Sequence, residues 1–297
     1  MFDIIIIGAG PAGLTSALYL RRALKKVLVL ENKTYGGQIV NTNEINNYPG
    51  VNKITGFQFA TNLYNQVKKL DTEIRFENVL NIEKNQNIKV ITDKNSYETK
   101  TLIIATGLVS KKLELENENN LIGKGISYCA TCDGALYKDK IVAVVGGGST
   151  ALEDALYLSS IAKKVYLIHR RELFRGENTI LEKVKERSNI EILLNTKITN
   201  IIGIDQLEKI ECNNNKEIKI DGLFICIGKK PKSEIFKDLI DIDENGYIIA
   251  NEDCKTNIEG IFVAGDIRKK AVRQLVTATA DGAVAATKAI NYIEENY

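Results

Sequence analysis

The sequence predicts an α/β protein built on two parallel βαβ units. Three observations carry that expectation. The chain repeats itself: residues 2–31, FDIIIIGAGPAGLTSALYLRRALKKVLVLE, align without a gap on residues 140–169, KIVAVVGGGSTALEDALYLSSIAKKVYLIH, at an offset of 138. Each copy opens with a continuous apolar run, Ile4–Ile7 or Ile141–Val145, the mark of a parallel strand buried on both faces. Each run then meets a glycine turn and a segment with apolar residues near helical spacing, such as Leu14, Ala17 and Leu18.

Composition agrees with this architecture. A chain of 297 residues, 44% of them hydrophobic, is long enough for two domains with buried cores. Forty basic and thirty-eight acidic residues leave a net charge of +2. That balance argues against a nucleic-acid binder, which would show a basic excess. No apolar run approaches the roughly 20 residues of a membrane-spanning helix. The opening MFDIIIIGAG carries an acid, Asp3, and no basic leader, so it reads as a first buried strand rather than a signal peptide. Five cysteines at this length do not make a disulfide scaffold, and a reducing cytoplasm is the expected compartment.

The first copy takes a dinucleotide. Gly8, Gly10 and Gly13 lie between a strand and a helix, where free helix N–H groups and the helix dipole receive a pyrophosphate. The second strand of that copy ends in Glu31, 23 residues after Gly8. A carboxylate there accepts hydrogen bonds from ribose hydroxyls and repels a 2′-phosphate, which suits FAD or NAD. In the second copy Gly146 and Gly148 hold the same places, with Ala151 matching Gly13, and its second strand ends in His169. Arg170, Arg171 and Arg175 follow. Guanidinium forks match phosphate oxygens in geometry and charge, so this cluster favours NADPH. Two sites of opposite preference imply a flavin–NADPH pair.

Between the copies stands Cys129-Ala130-Thr131-Cys132, followed by Asp133. Half of a zinc site lacks a second Cys-x-x-Cys, and no metal is expected. Two unrelated thiols remain conceivable. A redox dithiol is the favoured reading, because one thiolate attacks a disulfide and the second resolves the mixed disulfide. Asp133 is placed to move the proton that exchange requires, its plain alternative being an acid in the turn before Gly134. Cys212, Cys226 and Cys254 are isolated in sequence and receive no role.

The motifs together resemble the low-molecular-weight bacterial thioredoxin reductases over almost the whole chain. They are GAGPAG at 8–13, GGQ at 36–38, SYCATCDG at 127–134, GGGSTALEDA at 146–155, HRRELFR at 169–175, AGD at 264–266 and RQ at 273–274. The resemblance implies two Rossmann-like dinucleotide-binding domains, an NADPH domain inserted into a discontinuous FAD domain. Residues 1–112 and 238–297 would form the FAD domain, and 113–237 the NADPH domain with the cysteine pair. A late strand expected over Ile258–Ala264, ahead of Gly265-Asp266, agrees with a late return to the first domain.

The resemblance also assigns roles. Gly8, Gly10, Pro11, Ala12, Gly13 and Glu31 hold the adenosine and pyrophosphate of FAD. Gly36, Gly37, Gln38 and Asn47 lie along the flavin, and Thr106, Gly107, Gly265, Asp266, Arg273 and Gln274 complete its contacts. Gly146, Gly148, Ser149, Thr150, His169, Arg170, Arg171 and Arg175 hold NADPH. Cys132 faces the flavin, Cys129 attacks thioredoxin and Asp133 is the acid–base group. Family members are usually homodimers and alternate between two domain orientations. The same core also serves other small redox proteins and peroxide-reducing systems, so the disulfide partner stays open. One departure stands out: Arg268-Lys269-Lys270 is basic where the family commonly has an acid and an aromatic. A solvated charge run, or a patch for an acidic partner, is the expected reading.

Overall fold

A computed structural model describes residues 1–297 except Asn43, Glu44, Asn46 and Asn214, and all other side chains except those of Asn41, Thr131 and Cys132. The chain forms two compact units, Met1–Val109 with Lys230–Tyr297, and Ser110–Lys229. It passes between them at Leu108–Ser110 and Lys229–Pro231, two short strands that pair with each other.

The first unit is a twisted sheet whose parallel strands run in the order Glu73–Phe76, Val27–Glu31, Phe2–Ile7, Ser96–Ile104 and Ile261–Val263. The early half of Ser96–Ile104 also pairs with an antiparallel hairpin, Val79–Lys84 and Ile88–Thr92. The apolar run of the first strand serves both faces, as its period of two requires. Ile4 and Ile6 pack under the Pro11–Arg22 and Leu275–Asn296 helices with Leu14, Ala17, Ala285 and Ala289. Ile5 and Ile7 pack against Val79, Ile82, Val90, Phe236 and Ile248. Each such side chain contributes about 1.5–3 kcal/mol on burial. Phe236 and Ile240 place the residues just after Lys230 in this core, so they belong with the first unit rather than with the inserted segment. The late strand is shorter than the expected Ile258–Ala264, only Ile261–Val263 making ladder pairs.

The second unit repeats the plan. Parallel strands Ile190–Leu193, Lys164–Ile168, Ile141–Gly146, Gly222–Cys226 and Ile126–Ser127 lie in that order. The Ser149–Ser159 and Asn178–Lys185 helices cover one face through Ala151, Leu152, Ala155, Leu158 and Val184. A three-stranded meander, Ile198–Ile202, Lys209–Cys212 and Glu217–Lys219, covers the other through Ile198, Ile201, Ile210 and Ile218. In both units the glycine turn stands at the carboxyl end of the central parallel strands, where ligands bind in open α/β sheets.

Candidate active site and nucleotide sites

In the first unit, Gly8 takes φ +108°, and a Cβ there would sit 2.4 Å from the Ala105 carbonyl oxygen. Only glycine fits the turn. Gly10 then caps the Pro11–Arg22 helix with no side chain of its own, and Pro11 starts it. The amides of the first turn therefore carry no side-chain cap and suit an anion. Glu31 is held by the main chain: Oε2 accepts the Ala9 N–H at 2.9 Å, and Oε1 accepts those of Asn32 and Lys33 at 2.8 and 3.1 Å. This pins the carboxylate beside the glycine turn.

The other first-unit residues singled out by sequence gather at the same edge. The Gly36 N–H donates to the Ala9 carbonyl at 2.7 Å, laying the Gly37–Asn41 turn and exposed Gln38 beside the glycine loop. A Cβ on Gly265 would lie 2.8 Å from that of Ala12. The Arg273 Nε donates to the Asp266 carbonyl at 3.3 Å, and its guanidinium stacks 4.0 Å over Tyr247. Asn47 donates to the Gln274 side chain at 3.3 Å, and Gln274 forms a capping box with Thr277 at the start of the last helix. Thr106 bonds the Lys232 carbonyl, and Gly107 takes φ +62°. A Cβ on Gly10 would meet only Gly37 Cα, at 3.9 Å, so the cradle between the two loops is clear of side chains. Bare helix amides and a fixed carboxylate around that space fit FAD.

The basic stretch departs from its expectation. Arg268 is buried, donating to Asp281 at 2.9 and 3.2 Å and to the carbonyls of Ala250 and Asn251. The Lys270 side chain is largely buried too, 3.0 Å from Asp281 and 3.8 Å from Asp266. Only Lys269 reaches solvent. Asp281 also accepts the Gly265 N–H at 3.0 Å. The stretch is thus an internal brace for the Gly265-Asp266 turn, not a docking patch.

In the second unit, Gly146 lies against the Cys226 carbonyl, and Gly148 caps the Ser149–Ser159 helix with no side-chain bond. The Ser149 hydroxyl accepts the Glu177 N–H, and Thr150 is exposed. The arginine loop folds back over this turn, the N–H groups of Arg175 and Gly176 both donating to the Gly147 carbonyl. Arg170, Arg171 and Arg175 are exposed and make no ion pair among the described residues. Three unpaired guanidinium groups beside an uncapped helix start fit NADPH with its 2′-phosphate.

His169 differs from the arginines. It is buried, stacked on Phe174 at 5.0 Å, and its Nε2–H donates to the Leu173 carbonyl at 3.1 Å. Burial first, and then the charges of Arg175 and Arg171, hold its basicity below the usual value. Its ring fills the space a Gly147 side chain would need. It braces the loop as a neutral ring instead of adding a fourth positive charge.

The redox segment lies between the Ile126–Ser127 strand and the Gly134–Tyr137 turn. Cys129 is half-buried and disulfide-bonded. The Cys132 side chain lies outside the described residues. The Asp133 N–H donates to the Cys129 carbonyl at 3.2 Å, and the Asp133 carboxylate accepts the Ser127 hydroxyl at 2.6 Å. Ser127 also accepts the Cys129 N–H at 3.0 Å. Next to Cys129, Tyr128 donates to buried Glu118 at 2.5 Å, and burial plus that carboxylate push the phenol well up. Glu118 in turn takes the N–H groups of Leu113 and Glu114.

The remaining thiols are chemically quiet. Burial raises Cys254 to about 12 and pushes Cys212 upward. Burial and the Asp154 carboxyl, 2.8 Å away, keep Cys226 protonated. Sequence reasoning missed Ser127, Glu118, Asp154, Tyr247 and Asp281. Ser127 and Asp154 had a signal, their places inside SYCATCDG and GGGSTALEDA; the other three had none.

Two uncapped glycine turns on parallel sheets, with a disulfide-bonded cysteine in the second unit, define a nucleotide-dependent disulfide oxidoreductase. The profile of the pyridine nucleotide-disulphide oxidoreductases matches residues 2–282. A thioredoxin reductase of Mycoplasma genitalium is 43% identical over 296 residues, 97% of this chain and 94% of that one. The crystal structure of Lactococcus lactis thioredoxin reductase superposes with a TM-score of 0.88 at 37% identity, covering 99% of this chain and all of that one. The thioredoxin reductase of T. acidophilum superposes at 0.85 with 31% identity, covering 100% and 99%. The chain belongs to the pyridine nucleotide-disulphide oxidoreductase family, and within it to the thioredoxin reductases. Its activity is the NADPH-dependent reduction of a disulfide, with FAD as the second cofactor. Among the described residues, no helix is long and apolar enough to cross a membrane.

Proposed function

We propose that electrons pass from NADPH through FAD to a disulfide between Cys129 and Cys132, and from that dithiol to thioredoxin. FAD, when bound, accepts a hydride and returns an electron pair to sulfur. The first unit is the FAD domain and the second the NADPH domain. The amides after Gly10 receive the FAD pyrophosphate, Glu31 orients the ribose, and Gly36–Gln38, Asn47, Thr106, Gly107, Asp266, Arg273 and Gln274 surround the remainder. In the second unit the helix start after Gly148 receives the NADPH pyrophosphate, and Arg170, Arg171 and Arg175 take the 2′-phosphate. Cys129 attacks the partner disulfide, Cys132 resolves it, and Asp133 supplies and recovers the proton.

One observation carries the reading. Cys129 is already disulfide-bonded and half-buried, and it opens the turn that ends in Asp133. A homodimer in the cytoplasm completes the proposal, following the family, and light scattering reads the oligomer. The direct test is anaerobic: FAD-loaded protein is mixed with NADPH and oxidised thioredoxin, and new thiols are counted. Flavin bleaching with thiols on thioredoxin is expected, and Cys129→Ser should bleach without passing thiols on. Bleaching by the unaltered protein with no thiols on thioredoxin would assign the dithiol to another small redox protein or a peroxide-reducing system.

A further inference from the structure

We propose that Ser127 is a positioning residue for proton transfer at the redox pair, aiming the Asp133 carboxyl while it holds the Cys129 main chain. The inference rests on the reading of Asp133 as the proton donor. Ser127 ends a two-residue strand and is 4% exposed, so its hydroxyl has no water to turn toward. Its Oγ lies 2.6 Å from Asp133 Oδ2 and 3.2 Å from the Cys129 carbonyl. One hydroxyl proton serves one of them, and the short contact has the length of a charge-assisted O–H···O bond to a carboxylate. The same Oγ accepts the Cys129 N–H at 3.0 Å. One atom thus orients both ends of the Cys129–Asp133 turn. Asp133 has two free side-chain torsions on a helical turn of four residues. The Ser127 contact selects one orientation and leaves Oδ1 as the oxygen that exchanges the proton.

The chemistry balances. The Cys129 thiolate bonds to one sulfur of the partner disulfide; the partner's S–S bond breaks, its electron pair stays on the second sulfur, and that sulfur takes the proton of the Asp133 carboxyl. Cys132 then gives its proton to the Asp133 carboxylate and attacks the Cys129 sulfur. The mixed disulfide breaks, and the departing partner sulfur takes that proton. Two protons and two electrons reach the partner, leaving Cys129 and Cys132 oxidised.

The test separates proton supply from folding. Holoprotein reduced with dithiothreitol and desalted anaerobically, without NADPH, is mixed with bis(2-hydroxyethyl) disulfide or with 4,4′-dipyridyl disulfide. Loss of protein thiols is followed by rapid quench and mass spectrometry. The alkanethiolate released by the first reagent needs a proton, whereas the second releases a stabilised thione. Ser127→Ala should slow the first reaction about tenfold, a part of what general acid catalysis supplies, and leave the second nearly unchanged. Ser127→Thr should restore the rate, and Ser127→Ala with Asp133→Asn should be no slower than Asp133→Asn alone. Equal slowing with both reagents would make Ser127 a main-chain clamp only and overturn the inference. So would a slow Asp133→Asn beside an unaffected Ser127→Ala. An unaffected Asp133→Asn would instead remove the proton-donor reading beneath it.

Discussion

Three exposed arginines on one loop, without ion pairs among the described residues, make a local positive field that a dianionic 2′-phosphate would relieve. Charged hydrogen bonds of this kind contribute about 1.5–3 kcal/mol each. Replacing Arg170 and Arg171 together by Ala should raise the KM for NADPH at least tenfold, since about 1.4 kcal/mol corresponds to one decade. The KM for NADH should barely move; equal losses with both cofactors in steady-state assays would dissociate the loop from the 2′-phosphate. The exposure of the arginines was readable from sequence because a charged loop at a strand tip needs no packing partner. His169 looked the same in the string HRRELFR, yet burial against Gly147 and Phe174 makes it a neutral ring. Asp281 and Tyr247 lie 16 residues after Gly265 and 26 before Arg273, and only the folded chain brings each pair together.

At the level of elements, the loop over the second glycine turn should respond to pH through His169, the one histidine in the chain. Its folded form resists protonation because burial disfavours the cation and two arginines repel it. The unfolded chain takes up a proton near the ordinary value of 6.5. Stability from this group is therefore complete above that pH and declines as pH falls through the lower folded value. Thermal melts of the native chain should weaken as pH falls below 6.5. His169→Gln should lack that component, and parallel slopes for the two proteins would refute it. In the first unit the brace of Arg268, Lys270 and Asp281 ties the last helix to the Gly265-Asp266 turn. Arg268→Met takes away one of the two cations on the buried Asp281 carboxylate and leaves Lys270 in place, at a cost of about 1–3 kcal/mol. The variant should melt lower and lose FAD on gel filtration; retention of both stability and flavin would mean the turn is held by something else. Here charge patterning misled the sequence reading, because three consecutive basic residues look like a solvated run until Asp281 arrives from another element.

At the scale of the whole molecule, the two copies of the repeat are not equivalent in how the chain supplies them. The second unit is one continuous stretch, Ser110–Lys229, with cores on both faces of its own five-stranded sheet. Its ends are already joined, the Lys111 N–H donating to the Gly228 carbonyl at 2.9 Å. The first unit needs two separate stretches: Ile261–Val263 and the Leu275–Asn296 helix complete a sheet and a core that the early residues begin. An excised fragment spanning 110–229 should therefore fold alone, whereas a fragment ending at 109 should not. A ligand that binds only the folded form raises stability by about 2.7 kcal/mol at one hundred times its Kd. The excised second unit should show a cooperative thermal transition by circular dichroism that NADP+ raises and FAD does not. A non-cooperative melt would mean that the inserted segment depends on the first unit for its fold. A transition raised equally by FAD would reverse the cofactor assignment that Glu31 and the arginine loop support.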